Sequence, residues 1–515
     1  MTVSAKAPGV AVPRDGHHFR WSELARATGC PTLEGNHIRL QFEGSITFEA
    51  WIEAIDRAQR FVYFENYVVR DDRVGRAFRE ALIGKARQGV PVFLIYDWLG
   101  CWATPRSYWR PLREAGVRIR AFNPPSLALG DPLGALQRDH RKLVVVDGDI
   151  AFVGGFCVGD EWAGTASRPP WRDTGLEIRG PAARAAALAF ERLWGEMGEP
   201  TFLAHTLSAP EPAGGMPTWI IEGEPGKARV YRTLHLTSAM AQSRIWITDA
   251  YFVAPRSVSE ALAAAAQQGV DVRILVPAHN NWPWVRSISR GGYRFLLENG
   301  VRVFEWQGPM MHAKTTVADG VWCRVGSSNL NAASLMGNWE IDVGVLDRGL
   351  AAQMEGLFLA DLASSREIVL PRSPRGRRGE RPRGEAPVLP QESLDPEGTL
   401  PERLEKQLRT LGTPGRLGMA PLVRAGSAFG GALAGNRPLG REDRTVLGTM
   451  SVFILVLAVL AGFFPVLVGW GVAAVAFWFG TVTGIRALAQ ARRGRAEERQ
   501  AELERPHAIE SEHRK

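Results

Sequence analysis

Up to about residue 365 the chain alternates short, unbroken apolar runs such as FVYF and VFLI with amphipathic stretches such as Arg73 to Arg87 and Ser257 to Gln267. Unbroken apolar runs suit strands covered on both faces, and amphipathic helices between them suit a largely parallel sheet. Beyond this region the pattern changes twice. From Arg372 to Gly398 the chain is rich in Pro, Gly and Arg and has no apolar period, so it cannot bury enough surface to fold alone and reads as a linker. The segment from Gly415, GRLGMAPLVRAGSAFGGALAG, is a candidate to lie along a membrane interface. From Thr445 to Ile485 there is no charged side chain. That run is about twice the ~20 residues needed for one helical crossing, and two crossings joined near Gly462 to Pro465 are expected.

The apolar and polar pattern of the first part occurs twice. RFVYFENY, ending at Tyr67, matches RIWITDAY, ending at Tyr251; GVPVFLIYD from Gly89 matches GVDVRILVP from Gly269; GVRIRAFN from Gly116 matches GVRVFEWQ from Gly300. HRKLVVVDG from His140 and HAKTTVADG from His312 follow in the same order. A repeat this long predicts two domains facing one another about a pseudo-two-fold axis, with a site between them. The expected layout is an N-terminal extension (1–37), a first α/β domain (38–200), a connector (201–225) and a second α/β domain (226–368). After these come the linker with its interfacial segment (369–440), a transmembrane hairpin (441–490) and a charged tail (491–515).

The length of 515 residues is consistent with three or four units, and 4 scattered cysteines exclude a disulfide-stapled module. A surplus of +8 favours an anionic partner: nucleic acid, acidic lipid or phosphate. Arg441 and Arg444 before the apolar run, and Arg486, Arg492, Arg493 and Arg495 after it, place both its ends on the cytoplasmic side. The first residues, MTVSAKAPGVAVPRDGHHFRW, have no apolar core of the length an export signal needs. Basic, aromatic-interleaved stripes are absent and many arginines sit in the linker and tail, so nucleic acid is not the expected partner.

Each half carries His-x-Lys-x4-Asp: His140, Lys142 and Asp147, then His312, Lys314 and Asp319. Alternation along a strand puts the His and Lys of each motif on one face. Two imidazoles across an interface can divide nucleophile and general acid, and two ammonium groups can neutralise a phosphoryl group without a metal or cofactor. Only 7 of the 62 basic residues are lysines, so two lysines at equivalent motif positions argue for a compact ammonium at these points. VGGFC (Val153 to Cys157) and VGSSN (Val325 to Asn329) follow the motifs, their glycines expected to allow close backbone approach to a ligand. Ser327 and Asn329 are candidate phosphate-binding groups. Asp173, Glu340 and Glu65 are candidate phosphate-binding or orienting carboxylates, of which Asp173 and Glu340 could fix the tautomer of the two imidazoles.

The doubled motif, with VGSSNLNAASLMGNWEIDV and FVYFENYVVRDDRVG, resembles the phospholipase D superfamily, specifically its bacterial cardiolipin synthase branch, over Gly35 to Leu370. The resemblance implies two tandem α/β/α sandwich domains about a pseudo-two-fold axis. It also implies metal-independent phosphatidyl transfer through a phosphohistidine, with phosphatidylglycerol as donor and acceptor and glycerol released. By the same resemblance His140 is the nucleophile, His312 the acid, and an anionic phospholipid in a bacterial inner membrane the partner, with the catalytic domains facing the cytoplasm. The competing readings are hydrolysis to phosphatidic acid, a phosphodiesterase or nuclease, and a non-catalytic membrane scaffold. Three departures stand out: Cys157 where the family often has Asn, Asn331 and Ala333 where Asp and Arg are more usual, and a hairpin behind the catalytic part instead of before it.

Overall fold

The computed structural model describes residues 21–124, 137–208, 210–281 and 283–370. The expected hairpin and tail, and all but the first two residues of the linker, lie outside these residues. Among the described residues no helix is long and apolar enough to cross a membrane.

The first half contains α1 (Trp21–Thr28), β1 (Leu33–Gln41), α2 (Gly44–Arg57), β2 (Val62–Asn66), α3 (Arg73–Arg87), β3 (Val92–Asp97), α4 (Arg106–Glu114) and β4 (Arg118–Phe122). It continues with β5 (Lys142–Val146), β6 (Ile150–Gly154), α5 (Asp160–Ala163), β7 (Gly175–Arg179) and α6 (Pro181–Glu196). The second half contains β8 (Met216–Gly223), α7 (Arg229–Met240), β9 (Arg244–Thr248), α8 (Arg256–Gln267), β10 (Asp271–Pro277), α9 (Pro283–Glu298) and β11 (Arg302–Trp306). It ends with β12 (Thr315–Ala318), β13 (Trp322–Gly326), β14 (Glu340–Leu346), α10 (Arg348–Ala363) and β15 (Ser365–Ile368).

The fifteen strands of the described residues join in one sheet, ordered β15-β11-β10-β9-β12-β13-β14-β8-β1-β7-β6-β5-β2-β3-β4. In it β2-β3-β4 and β9-β10-β11 are parallel and the other neighbours antiparallel, so the sheet is mixed and not largely parallel as expected. Read outward from the central β8–β1 pair, the seven strands of the first half and the first seven of the second follow the same order. This is the pseudo-two-fold arrangement that the repeat predicts. Two boundaries differ from the expected layout. β8 lies inside the expected connector 201–225, yet it pairs along its length with β14 and is the first strand of the second half. β1 begins at Leu33, inside the expected N-terminal extension.

The layers follow from which faces are apolar. Every residue of β2 and of β5 is buried, as strands covered on both faces must be. The helices α2, α3 and α4 cover one face of the first half around Trp51, Phe78 and Trp109. α7, α8 and α9 do the same for the second half around Leu234, Leu262 and Leu296. Between the halves lies a shared core built from α6, α10 and strand residues of both. The α6 face at Ala182, Ala183, Ala186, Ala187 and Ala189 is fully buried there, small side chains allowing close approach.

Strand directions define one edge of each half. In the first, the ends of β1, β2, β3 and β6 and the starts of β5 and β7 all lie on the same edge, because β2 runs parallel to β3 while β5, β6, β7 and β1 alternate. His140 precedes β5 and Asp173 precedes β7, so both are delivered to this edge. In the second half His312 and Glu340 occupy the equivalent positions before and at the start of β12 and β14.

Candidate active site

The two histidine edges are clasped together by a pair of matching backbone contacts. Asp139, just before His140, forms a parallel bridge with Trp339, just before Glu340, and the His140 N–H donates to the Trp339 carbonyl at 2.9 Å. Met311, just before His312, bridges Arg172, just before Asp173, and the His312 N–H donates to the Arg172 carbonyl at 2.7 Å. Each histidine therefore meets the carboxylate of the opposite half. His140 Nδ1 lies 3.0 Å from both Glu340 oxygens, and His312 Nδ1 lies 2.6 Å from Asp173 Oδ2. A carboxylate accepting from Nδ1–H leaves the lone pair on Nε2, the nitrogen free to attack phosphorus or carry a proton.

Each carboxylate is itself held. Ser327 Oγ donates to Glu340 at 2.5 Å, while Trp162 Nε1 donates to Asp173 Oδ2 at 2.9 Å and the Thr174 N–H to Asp173 Oδ1 at 2.8 Å. Burial alone would push both carboxyls up. The histidine partner and the nearby lysine outweigh it, and both carboxyls lie below their usual range, ionised at neutral pH. Gly155 has a definite reason to be glycine, since a Cβ there would stand 2.0 Å from Asp173 Oδ1. The space at this glycine serves the orienting carboxylate and not, as expected from sequence, a ligand.

The lysines are fully buried, and each ammonium donates to the carbonyl of its own histidine. Lys142 Nζ sits 5.0 Å from the centre of the Tyr67 ring and Lys314 Nζ 5.7 Å from that of Tyr251, within cation–π range. Burial, chiefly, and then Lys142 lower Lys314 to about 8 against the opposing pull of Asp173. Burial likewise lowers both imidazoles, His312 to about 3 with help from Lys314. Both histidines are therefore neutral at pH 7. The two ammonium groups, offset by the two ionised carboxylates, are the positive charges that a phosphate monoanion would meet there.

Several sequence-predicted residues do not meet at this centre. Asp147 and Asp319, expected to be catalytic, lie at the far ends of β5 and β12. From Lys142 to Asp147 the strand extends roughly 16 Å. Both adopt positive φ, 58° and 52°, in tight turns. Asp147 accepts from the N–H groups of Gln59, Arg60 and Phe61, and Asp319 from those of Gln242, Ser243 and Arg244. They fix the entry to β2 and β9, at about 1.5–3 kcal/mol per bond to a charged acceptor. Glu65 is buried behind the site, 4.0 Å from Arg141, and burial raises it to about 6. Asn329 follows β13 on the site edge, with its Oδ1 buried and without a partner among the described residues. Cys157, its counterpart, is fully buried in the field of both lysines and Asp173.

The aromatic walls escaped the motif reading. Tyr67 meets the His140 ring at 4.8 Å and Tyr251 the His312 ring at 6.0 Å, both edge-on. Trp162 and Trp171 flank His312 at 5.4 and 5.8 Å. The tyrosines had a signal, since both end the first pair of matched repeat segments. The tryptophans belong to one half alone and had none.

Comparison with known proteins agrees with this geometry. The family described as "Cardiolipin synthase, PLD-like domain" matches residues 51–161 and 236–362, one span in each half. Cardiolipin synthase A of Pseudomonas aeruginosa strain LESB58 is 35% identical over 355 residues, which cover 67% of this chain and 71% of that protein. Cardiolipin synthase A of Pseudomonas fluorescens strain Pf-5 is 36% identical over 347 residues, covering 66% and 71%. Among solved structures, phosphatidylserine synthase of Haemophilus influenzae Rd KW20 aligns with a TM-score of 0.53 over 67% of this chain and 92% of that one. At 13% identity that likeness is one of fold.

Proposed function

The chain belongs to the phospholipase D superfamily, in its cardiolipin synthase-like branch, and from that premise we propose that it joins two phosphatidylglycerols into cardiolipin and releases glycerol. The observation that carries the mechanism is the crossed pair of carboxylate–imidazole contacts between two buried lysines. In the first step Nε2 of neutral His140 attacks the phosphorus of the donor. The P–O bond to glycerol breaks, and protonated His312 gives its proton to the departing oxygen. In the second step the glycerol hydroxyl of another phosphatidylglycerol attacks the phosphohistidine, His312 takes that proton, and the P–N bond breaks. Lys142 and Lys314 balance the charge on the non-bridging oxygens throughout. The phosphodiester anion, set against the two lysines, raises the proton affinity of His312 and so allows it to act as the acid.

The test is to incubate the purified protein with labelled phosphatidylglycerol. Cardiolipin and glycerol should appear in equal amounts, and added glycerol should drive the reaction backwards. Phosphatidic acid as the sole product would establish hydrolysis and sink the synthase reading. The charge pattern around residues 441–490 supports a hairpin with both ends, and hence the catalytic halves, on the cytoplasmic side of a bacterial inner membrane. Protease added at the outer face should then leave those halves intact.

A second expectation concerns pH. Lys314 is charged below about pH 8 and neutral above it, so its offset of the phosphate charge is present below pH 8 and lost as pH rises through that value. The kcat/KM profile should accordingly fall on its alkaline side near pH 8, by about tenfold per pH unit. A profile flat to pH 9.5 would refute this role for Lys314.

A further inference from the structure

Nine large apolar side chains are exposed among the described residues, and five of them lie on a single edge of the first half's sheet: Phe42, Ile46, Trp98, Leu99 and Trp102. It is the edge that carries His140 and Asp173. The other four are scattered on α10, in the α6–β8 connection and beyond β15. Trp102 is 73% exposed, Ile46 58% and Leu99 48%. Trp98, Leu99 and Trp102 fall within one five-residue loop on that edge, and an exposed apolar patch of this kind marks an interaction surface, whereas single exposed apolar residues elsewhere need no explanation.

The loop from Trp98 to Trp102 is rigid and tied to the catalytic groups. Asp97 Oδ1 accepts from the Gly100 N–H at 2.9 Å, and the Cys101 N–H donates to the Asp97 carbonyl at 3.0 Å. Gly100 packs on the Tyr67 carbonyl so closely that a Cβ would stand 1.9 Å from it. Asp97 Oδ2 accepts from the N–H of Asp139, the residue before His140, at 3.0 Å. The backbone that carries the indoles is therefore tied to the residue before His140, not hung on a loose flap. Arg106, after this loop, and Arg168, in the β6–β7 connection, are exposed on the same edge without an ion-pair partner among the described residues. On the same edge Arg70, Arg73 and Arg76 pair with Glu161, Asp160 and Asp71.

We propose that this edge docks on an anionic phospholipid bilayer, with Trp98, Leu99 and Trp102 seated at headgroup depth and Arg106 and Arg168 facing the lipid phosphates. Indole, with an apolar body and one N–H donor, suits that depth, and unpaired guanidinium groups at the rim complement an anionic surface. The inference rests on the phospholipid-transferase reading, which supplies a substrate residing in a bilayer. It deepens that reading by stating which face meets the lipid. A headgroup phosphate could then move from the membrane plane to His140 while its acyl chains remain in the membrane.

All four cysteines, Cys30, Cys101, Cys157 and Cys323, are buried, so a thiol-reactive, polarity-sensitive fluorophore can be placed selectively on the full chain at Trp102→Cys, with Arg57→Cys as the control on the opposite edge. In proteoliposomes containing phosphatidylglycerol, the label at position 102 should shift to the blue and be quenched at least about twofold by doxyl-labelled lipid, while the label at 57 should not change. Equal quenching at both positions, or a water-exposed label at 102, overturns the proposal. A shift that appears in detergent without lipid and grows with protein concentration also overturns it, in favour of a second copy of the chain. Separately, the Trp98→Ala/Trp102→Ala variant should lose at least about tenfold in turnover of vesicle phosphatidylglycerol and stay within about twofold of the parent in detergent mixed micelles. Equal loss in both overturns docking as the role of the loop. A parent protein that converts phosphatidylglycerol in neither preparation counts against the transferase reading, while the quenching still decides the docking face.

Discussion

Replacing either His140 or His312 by alanine should lower cardiolipin formation by at least about 10⁴-fold, because each imidazole serves both half-reactions and neither can substitute for the other. The two losses should nevertheless differ in kind. His140 forms the bond to phosphorus, whereas His312 supplies and removes protons. A phosphatidyl ester whose leaving group is an acidic phenol needs no proton on departure, so it separates the roles. With this substrate His312→Ala should still release one phenol per enzyme and leave a phosphatidyl group on His140, recoverable on the peptide containing that residue. His140→Ala should give no such burst. The reverse pattern would exchange the assignments, and full turnover in either variant would refute a shared site. Since Glu340 and Asp173 are buried and lose a partner in these variants, His140→Gln and His312→Gln, which keep an N–H donor, serve as controls for folding.

Much of this site could be read from the chain because the repeat fixes it twice. His140 with Lys142 and His312 with Lys314 stand at equivalent strand starts, and matched segments such as those ending at Tyr67 and Tyr251 locate the edge they share. What escaped depends on distance in space and not in sequence. Asp147 and Asp319 belong to the motif by spacing, but an extended strand carries them away from the imidazoles, and their positive φ suits the turn they cap. Glu340 and Asp173 were recognisable as candidates, yet a symmetric sequence does not say which histidine each one serves. β8 was hidden in a connector because the matched segments begin only at the strand after it. Its place in the second half shows in its pairing with β14.

The crossing of the carboxylates makes the second large prediction. Glu340 lies 200 residues from His140 in the chain and belongs to the other half, but it holds that ring, as Asp173 holds His312 across 139 residues. Glu340→Gln and Asp173→Asn preserve volume and lose charge. The amide can present an N–H to Nδ1, which turns that nitrogen into an acceptor and moves the proton to Nε2, the wrong tautomer for attack or proton uptake. Each substitution should lower kcat by about 10²- to 10⁴-fold with a smaller effect on KM, since the lysines that bind the phosphate remain. The diagnostic result comes from the acidic-phenol substrate. Glu340→Gln, a change in the second half, should abolish the burst as His140→Ala does, whereas Asp173→Asn, in the first half, should keep the burst and block turnover as His312→Ala does. Combining Glu340→Gln with His140→Ala should cost little beyond the histidine change alone, because the carboxylate acts through that ring. Were each carboxylate to serve the histidine of its own half, the two burst results would be exchanged. Neither half would then depend on its neighbour for a working imidazole, and the backbone bridges through Trp339 and Arg172 would have no catalytic consequence.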